Sequence, residues 1–404
     1  MKTVKLALMM LCFVSCVREE GIIKIEVSET AGIERLLEYV EVHWASNDNS
    51  AKDKNYSISD GNQIFQGQVL SISEPEQGQY QIRAIFPVSL KANQSKKYTI
   101  ISAVSETKDT LIVEGSGFDV TIANAYYKAD LTTNEINPDQ IYAPGQVRGL
   151  LLKKHAHQQL KPTNINMHWS PNFQSSGKGY QTSSHLIKPD SVYIKKGKLN
   201  TILYKEGRVE SYPEIKIKTK YEFFAGLPYF VYSSEVYMIE DIELFLLRND
   251  EMTMDSLFTH IIFRDQTHGL GGEKLLYEEN MVKNFAQDPI DDHAQWLAFY
   301  NKHYGYGLGS VRIEYDNTNK DGIPSPLYQP HSKISDGSNG GKYWNRRLIH
   351  EHDTLVKAGS RYYEKNAYVI LSSTENIANK LDTIHKKIMY PVEVVVLNPN
   401  GIIN

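Results

Sequence analysis

An all-β chain, with a small N-terminal sandwich followed by a wide two-sheet domain, is the fold class the sequence predicts. Three observations carry it. Short segments alternate between apolar and polar residues, as in Ile22–Val27, Gln79–Ile85 and Glu214–Lys218. Between them stand turn signals such as Lys108-Asp109 and Gly115-Ser116-Gly117, which break the β-branched runs at Tyr98–Ile101, Thr110–Val113 and Phe118–Ile122. Helical periodicity is scarce.

The polar, turn-rich stretch at 134–140 reads as a linker, with the main boundary between 131 and 143. It sets off an N-terminal β domain over 21–133 and a larger domain over 141–404, too large for a simple sandwich. Two segments carry helical spacing. Asp291–Tyr304 opens on an Asp cap and groups Trp296, Phe299 and Tyr300, while Glu375–Lys387 groups Ile377, Leu381 and Ile384.

At the N-terminus, Lys2 and Lys5 precede an apolar run from Leu6 to Val14 that ends at Ser15-Cys16. The run is too short to span a bilayer and resembles a bacterial lipoprotein signal over residues 1–16, with Cys16 as the lipidated residue. An ordinary secretory signal would be left out of the fold in the same way. The expectation is an exported chain held at the outer membrane or cell surface by a lipid anchor alone. The two cysteines, Cys12 and Cys16, both lie in this segment, so the remainder has neither disulfide nor cysteine-based metal site. Net charge is −4 with both signs well mixed, and no basic block points to nucleic acid. Tyr outnumbers Phe 26 to 13, a bias that suits sugar binding, since the ring stacks on C–H groups while the phenol bonds to hydroxyls.

Of the 13 histidines, only His43 precedes residue 150, so imidazole chemistry is sought downstream. Four clusters stand out. The first holds His155 and His157, which share a face if on a strand, and then His168-Trp169 before Ser170-Pro171, a proton carrier beside an indole platform. The H-x-H spacing also suits two metal ligands, but it is too common to assign a metal. The second runs from Tyr221 to Tyr232 around Gly226-Leu227-Pro228; most of its rings read as core, with Tyr221 or Tyr229 as the substrate candidates.

The third cluster pairs Arg248, Asp250 and Glu251 with a later strand on which His260, Ile262 and Arg264 share a face. Arg248 with its acidic neighbours reads as a salt-bridged corner, although its guanidinium can also hold substrate; His260 and Arg264 read as the stronger functional pair. The fourth is Gly340 to His352. As a strand, it puts Tyr343, Asn345 and Arg347 on one face and Trp344, Arg346 and His350 on the other. Trp344, Arg347 and His350 are candidate substrate contacts there; the alternative is a buried Trp with Arg stacked on it.

With these clusters in place, the layout resembles the surface glycan-degrading lipoproteins of Bacteroidetes. The stretch from about Gly145 to Ile370 looks like the galactose-mutarotase-like β-supersandwich of several polysaccharide lyases. Arg35–Val40 and Gly115–Phe118 are distantly similar to the first β domain of exo-rhamnogalacturonan lyase-like proteins. The α/α toroid of those enzymes is absent, and no motif fixes a catalytic residue. The co-occurrence of His, Arg and Tyr on short strands fits β-elimination on a uronic-acid polysaccharide or oligosaccharide best. Arg346 or Arg264 would neutralise the carboxylate, His168 or His260 abstract the proton, and Tyr221 or Tyr343 protonate the leaving oxygen. Trp169, Trp344, Arg347, His350 and Arg248 would bind substrate. The sequence leaves the cofactor unassigned and does not demand a divalent cation. Three alternatives stay open: a glycoside hydrolase drawing its carboxylate pair from Glu214, Glu235, Glu251 and Asp265, a glycan-binding protein without catalysis, and a purely structural or adhesive surface protein.

Overall fold

The computed structural model describes residues 23–46, 50–73, 79–105, 110–137, 140–153, 159–160, 170–328, 330–337 and 340–397. The architecture is all-β: seven sheets, with two α-helices among the described residues. Neither helix is long and apolar enough to cross a membrane.

The N-terminal sandwich faces a five-stranded sheet against a three-stranded one. Alternation along Ile23–Ser28 and Ser95–Ser102 sends Ile25, Val27, Tyr98 and Ile100 inward, where they meet Val40, Val42, Trp44, Ile82, Ala84 and Phe86. Its edge strand comes from the far end of the chain. Glu393–Leu397 pairs antiparallel with Ile23–Ser28, from Lys24 opposite Leu397 to Ser28 opposite Glu393. The polar stretch at 134–140 therefore does not mark the division between cores. The first core draws on residues 23–100 and 392–396, whereas Leu111, Val120, Ile122, Tyr127 and Leu131 pack into the second. That stretch instead forms a small hairpin, Asn134–Asn137 with Gln140–Tyr142.

The larger part is built on a ten-stranded antiparallel sheet. One face of this sheet packs on a five-stranded sheet, which begins at Ile112–Ser116, and on a six-stranded sheet. The other face is covered over part of its width by the helix Ile377–Met389, whose Ile377 and Leu381 rest on Trp296, Ala298, Val311 and Val369. That helix lies where its periodicity placed it. Asp291–Tyr304 does not form a helix: Trp296–Asn301 is a strand with all six residues buried, so Trp296 and Tyr300 lie on one face and Phe299 on the other. A short helix, Met281–Gln287, precedes it.

Partly buried polar contacts join the two parts. The Gln68 amide bonds to the backbone of Leu199 and Asn200 at 2.8–2.9 Å, and the Tyr39 hydroxyl donates to Ala225 O at 2.9 Å. Arg35, fully buried, donates to the carbonyls of Lys387 and Tyr390 and so satisfies the end of the long helix.

Candidate active site

In the six-stranded sheet four strands lie side by side: Asn172–Gln174, Leu246–Thr253, Lys342–Arg347 and His331–Asp336. The register sets Asn172 opposite Arg248, Arg248 opposite Arg347, and Arg347 opposite His331. Residues opposite one another point to the same side. Leu247 and Trp344 belong to the cores shared with the ten-stranded sheet, so this row lies on the face turned away from it.

A β-bulge gives the site its form. Pairing runs from Asn249 with Arg346 to Met252 with Trp344, so Asp250 and Glu251 together oppose Asn345. Asp250 adopts φ 40°, unusual for a residue with a side chain, and the two carboxylates diverge. Asp250 turns inward and accepts hydrogen bonds from Tyr368 at 2.8 Å, Ser310 at 3.0 Å, Tyr315 at 3.1 Å and Trp344 Nε1 at 3.3 Å. Glu251 turns to the outer face, with Oε2 3.8 Å from Arg248 Nη1.

The electrostatics of this outer group are unusual. Burial pushes the Glu251 carboxyl up to about 7, although Arg248, Asn172 and Arg347 all favour its charged form. Burial, reinforced by the like charge of Arg248, brings Arg347 down to about 10. Arg347 Nη1 meets Glu351 at 2.5 Å, and Glu351, 56 % exposed, also receives Lys333 at 2.9 Å. Tyr180 lies within reach of Glu251, Arg248 and Tyr343, and burial raises its phenol well above the usual range. Buried Glu251 Oε2, Arg248 Nε, Arg347 Nε and both amide atoms of Asn345 have no hydrogen-bond partner. Such atoms are costly in a folded protein and here they gather in one place. Two guanidinium groups can hold a carboxylate, and a carboxyl near pH 7 can pass a proton.

Of the residues singled out from sequence, Arg248, Arg347 and Tyr343 come together on this face. Others do not join them. Tyr221 is sealed in the core, stacked on Phe223 at 5.9 Å and donating to Gln146 at 2.7 Å, so it cannot protonate a leaving group. Tyr221→Phe should therefore cost only about 1 kcal/mol in urea unfolding and leave activity unchanged. Trp344 is also core, edge-on to Phe299, and offers no platform. Arg346 is locked between Asp292 and Glu364. His260, Ile262 and Arg264 do share a face, but it is the face of the ten-stranded sheet turned toward the long helix. There Asp382 holds Arg264 through two contacts of 2.7 and 2.8 Å, and His260 stacks on Tyr300. His350 packs against Tyr328 and His352, each 4.9 Å away. Tyr229 is half-buried beside the long helix's core. His155, His157, His168, Trp169 and Cys16 lie outside the described residues.

The carboxylates weighed for hydrolysis also separate. Glu214 pairs with Lys178, Glu235 with Lys218 and Arg361, and Asp265 with His268, leaving Glu251 as the one on the arginine face. Asn172, Tyr180 and Asn345 were not singled out as site residues. The interruption Arg248-Asn249-Asp250-Glu251 within an apolar strand was the available signal, because consecutive charged residues there fit a bulge better than a corner. Among the described residues no group of three or more His, Cys, Asp or Glu side chains is placed to hold a metal ion.

No protein-family model matches the chain, and no curated protein matches it. Solved structures do. An α-mannosidase from Enterococcus faecalis V583 superposes at a TM-score of 0.55 with 9% identity, over 94% of this chain and 46% of its own. A protein in the glycosyl hydrolase family 38 from Enterococcus faecalis gives 0.50 with 8% identity, over 94% and 48%. A galactose mutarotase-like protein from Lactobacillus casei gives 0.34 with 8% identity, over 64% and 99%, too low a score to equate the folds. This chain thus spans about half the length of the first two and shares the fold of that portion.

Proposed function

We propose that the chain is a carbohydrate-active protein that cleaves a uronic-acid-containing glycan by β-elimination on the Arg248–Arg347 face. The observation that carries this reading is the pair of neighbouring guanidinium groups beside Glu251, a buried carboxyl brought up to about 7. Two cations suit the uronate carboxylate, whose neutralisation acidifies the C5 proton, and a group titrating near neutrality can transfer a proton. The fold shared with part of an α-mannosidase supports a sugar substrate. The anion-binding role proposed from sequence for Arg346 or Arg264 passes to Arg248 and Arg347. His168, four residues before Asn172 in the chain, remains the proposed base. With Cys16 lipidated, the protein would meet its glycan at the cell surface.

Incubating the purified protein with a panel of uronate-rich glycans should generate ultraviolet absorbance, because the new C4=C5 double bond conjugates with the carboxylate. New reducing ends without that chromophore would move the assignment to glycoside hydrolysis. Glycan binding with neither product would leave a binding protein.

A further inference from the structure

The Glu251 environment suggests a tighter link between substrate charge and proton transfer, one that rests on the reading above. Glu251 is 4% exposed, so its ionised form persists only through the cations around it. These face it from two strands: Arg248 on its own and Arg347 on the neighbouring one. Asn172 bonds to it from a third strand, Tyr180 approaches from the turn before Gln181, and Asn345 lies opposite across the bulge. Farther out on the same face, His331 stands opposite Arg347 and Lys333 opposite Asn345, with Glu351 paired to Arg347 and Lys333.

Neither cation is committed to Glu251. Arg248 pairs with it only loosely, at 3.8 Å and beyond hydrogen-bond distance, and Arg347 makes a 2.5 Å contact with Glu351 at the surface. An anion arriving at the two guanidinium groups can displace Glu351, which is solvated and keeps Lys333. It would also cancel the field that holds Glu251 ionised.

We propose that the substrate carboxylate and a proton enter this site together: an anion engaging Arg248 and Arg347 leaves Glu251 protonated, and Glu251 is the acid of the elimination. In that step the C5–H electron pair becomes the C4=C5 π bond and the C5 proton passes to the base. The C4–O4 pair departs with the oxygen, which takes the Glu251 proton. Solvent then reprotonates Glu251 when the next anion binds.

The test is calorimetric titration of the full chain with free glucuronate at pH 8, in two buffers of different ionisation enthalpy. Glucuronate carries no glycosidic oxygen at C4 and so reports binding alone. The wild type should take up a large fraction of a proton per glucuronate bound, and its affinity should fall toward about tenfold per pH unit above pH 7. Glu251→Gln should bind glucuronate with no uptake and a flat pH profile. Binding by the wild type without proton uptake, or an unchanged pH profile in Glu251→Gln, overturns this inference while leaving the elimination reading to its chromophore assay. Failure of the folded wild type to bind glucuronate at all overturns it as well.

Discussion

Replacing Arg346 with alanine is expected to remove about 3–5 kcal/mol of stability at neutral pH, the largest structural effect of any substitution considered. Its guanidinium grips Asp292 in bidentate fashion at 2.5 and 2.7 Å, reaches Glu364 at 2.6 Å and stacks on Tyr315 at 4.3 Å. Without it buried Glu364 loses its counter-charge and half-buried Asp292 loses its bidentate partner. Burial already pushes Glu364 up to about 7, with Asp250 and Asp292 adding like charge and only Arg346 opposing. A carboxyl raised in the folded state contributes stability below its unfolded value that is lost as pH rises through the folded value. Removing Arg346 widens that gap, so urea unfolding should show a deficit that grows from pH 5 to pH 8. Adding Glu364→Gln to Arg346→Ala should recover part of the loss at pH 8. A pH-independent deficit would assign the effect to lost packing instead.

Arg347→Ala should weaken binding of an acidic oligosaccharide by about 30-fold to 5,000-fold, the equivalent of about 2–5 kcal/mol for truncating one side of a desolvated charged contact. Arg347 is exposed enough through Glu351 to exchange partners, yet buried enough for its charge to be felt strongly. Its removal also frees Glu251 from one stabilising cation, so the pH profile of any remaining activity should shift upward. Binding measured by calorimetry on charged and neutral oligosaccharides of equal length separates the outcomes. Equal losses on both would mean that the arginine holds the strand rather than the anion.

The strands with one wet face were legible in the sequence, because burial on one side imprints alternation, as in Ile215–Phe224, where buried and half-buried residues take turns. Strands buried on both faces were not. Trp296–Asn301 carries no polar alternation, and its aromatic spacing matched a helix by coincidence. The division between cores was hidden for a different reason. A polar stretch suits a hairpin turn as well as a linker, and nothing local shows that residues 393–397 return to the first sheet. At the site, the fourth cluster's alternation separated Arg347 from Arg346 correctly, yet which face was the interior depends on the partner sheet. The pairing of Arg248 with Arg347 spans 99 positions, a relation only tertiary structure supplies.

The return of Glu393–Leu397 to Ile23–Ser28 bears on the order in which the chain can assemble. Ile23–Ser28 is made long before its partner Glu393–Leu397, and closing so long a loop carries an entropic cost that local hairpins avoid. Until then the N-terminal sandwich has an open edge at Ile23–Ser28, and buried Arg35 lacks the Lys387 and Tyr390 carbonyls it donates to. Removing Glu393–Leu397 would thus injure the N-terminal sandwich more than the ten-stranded sheet.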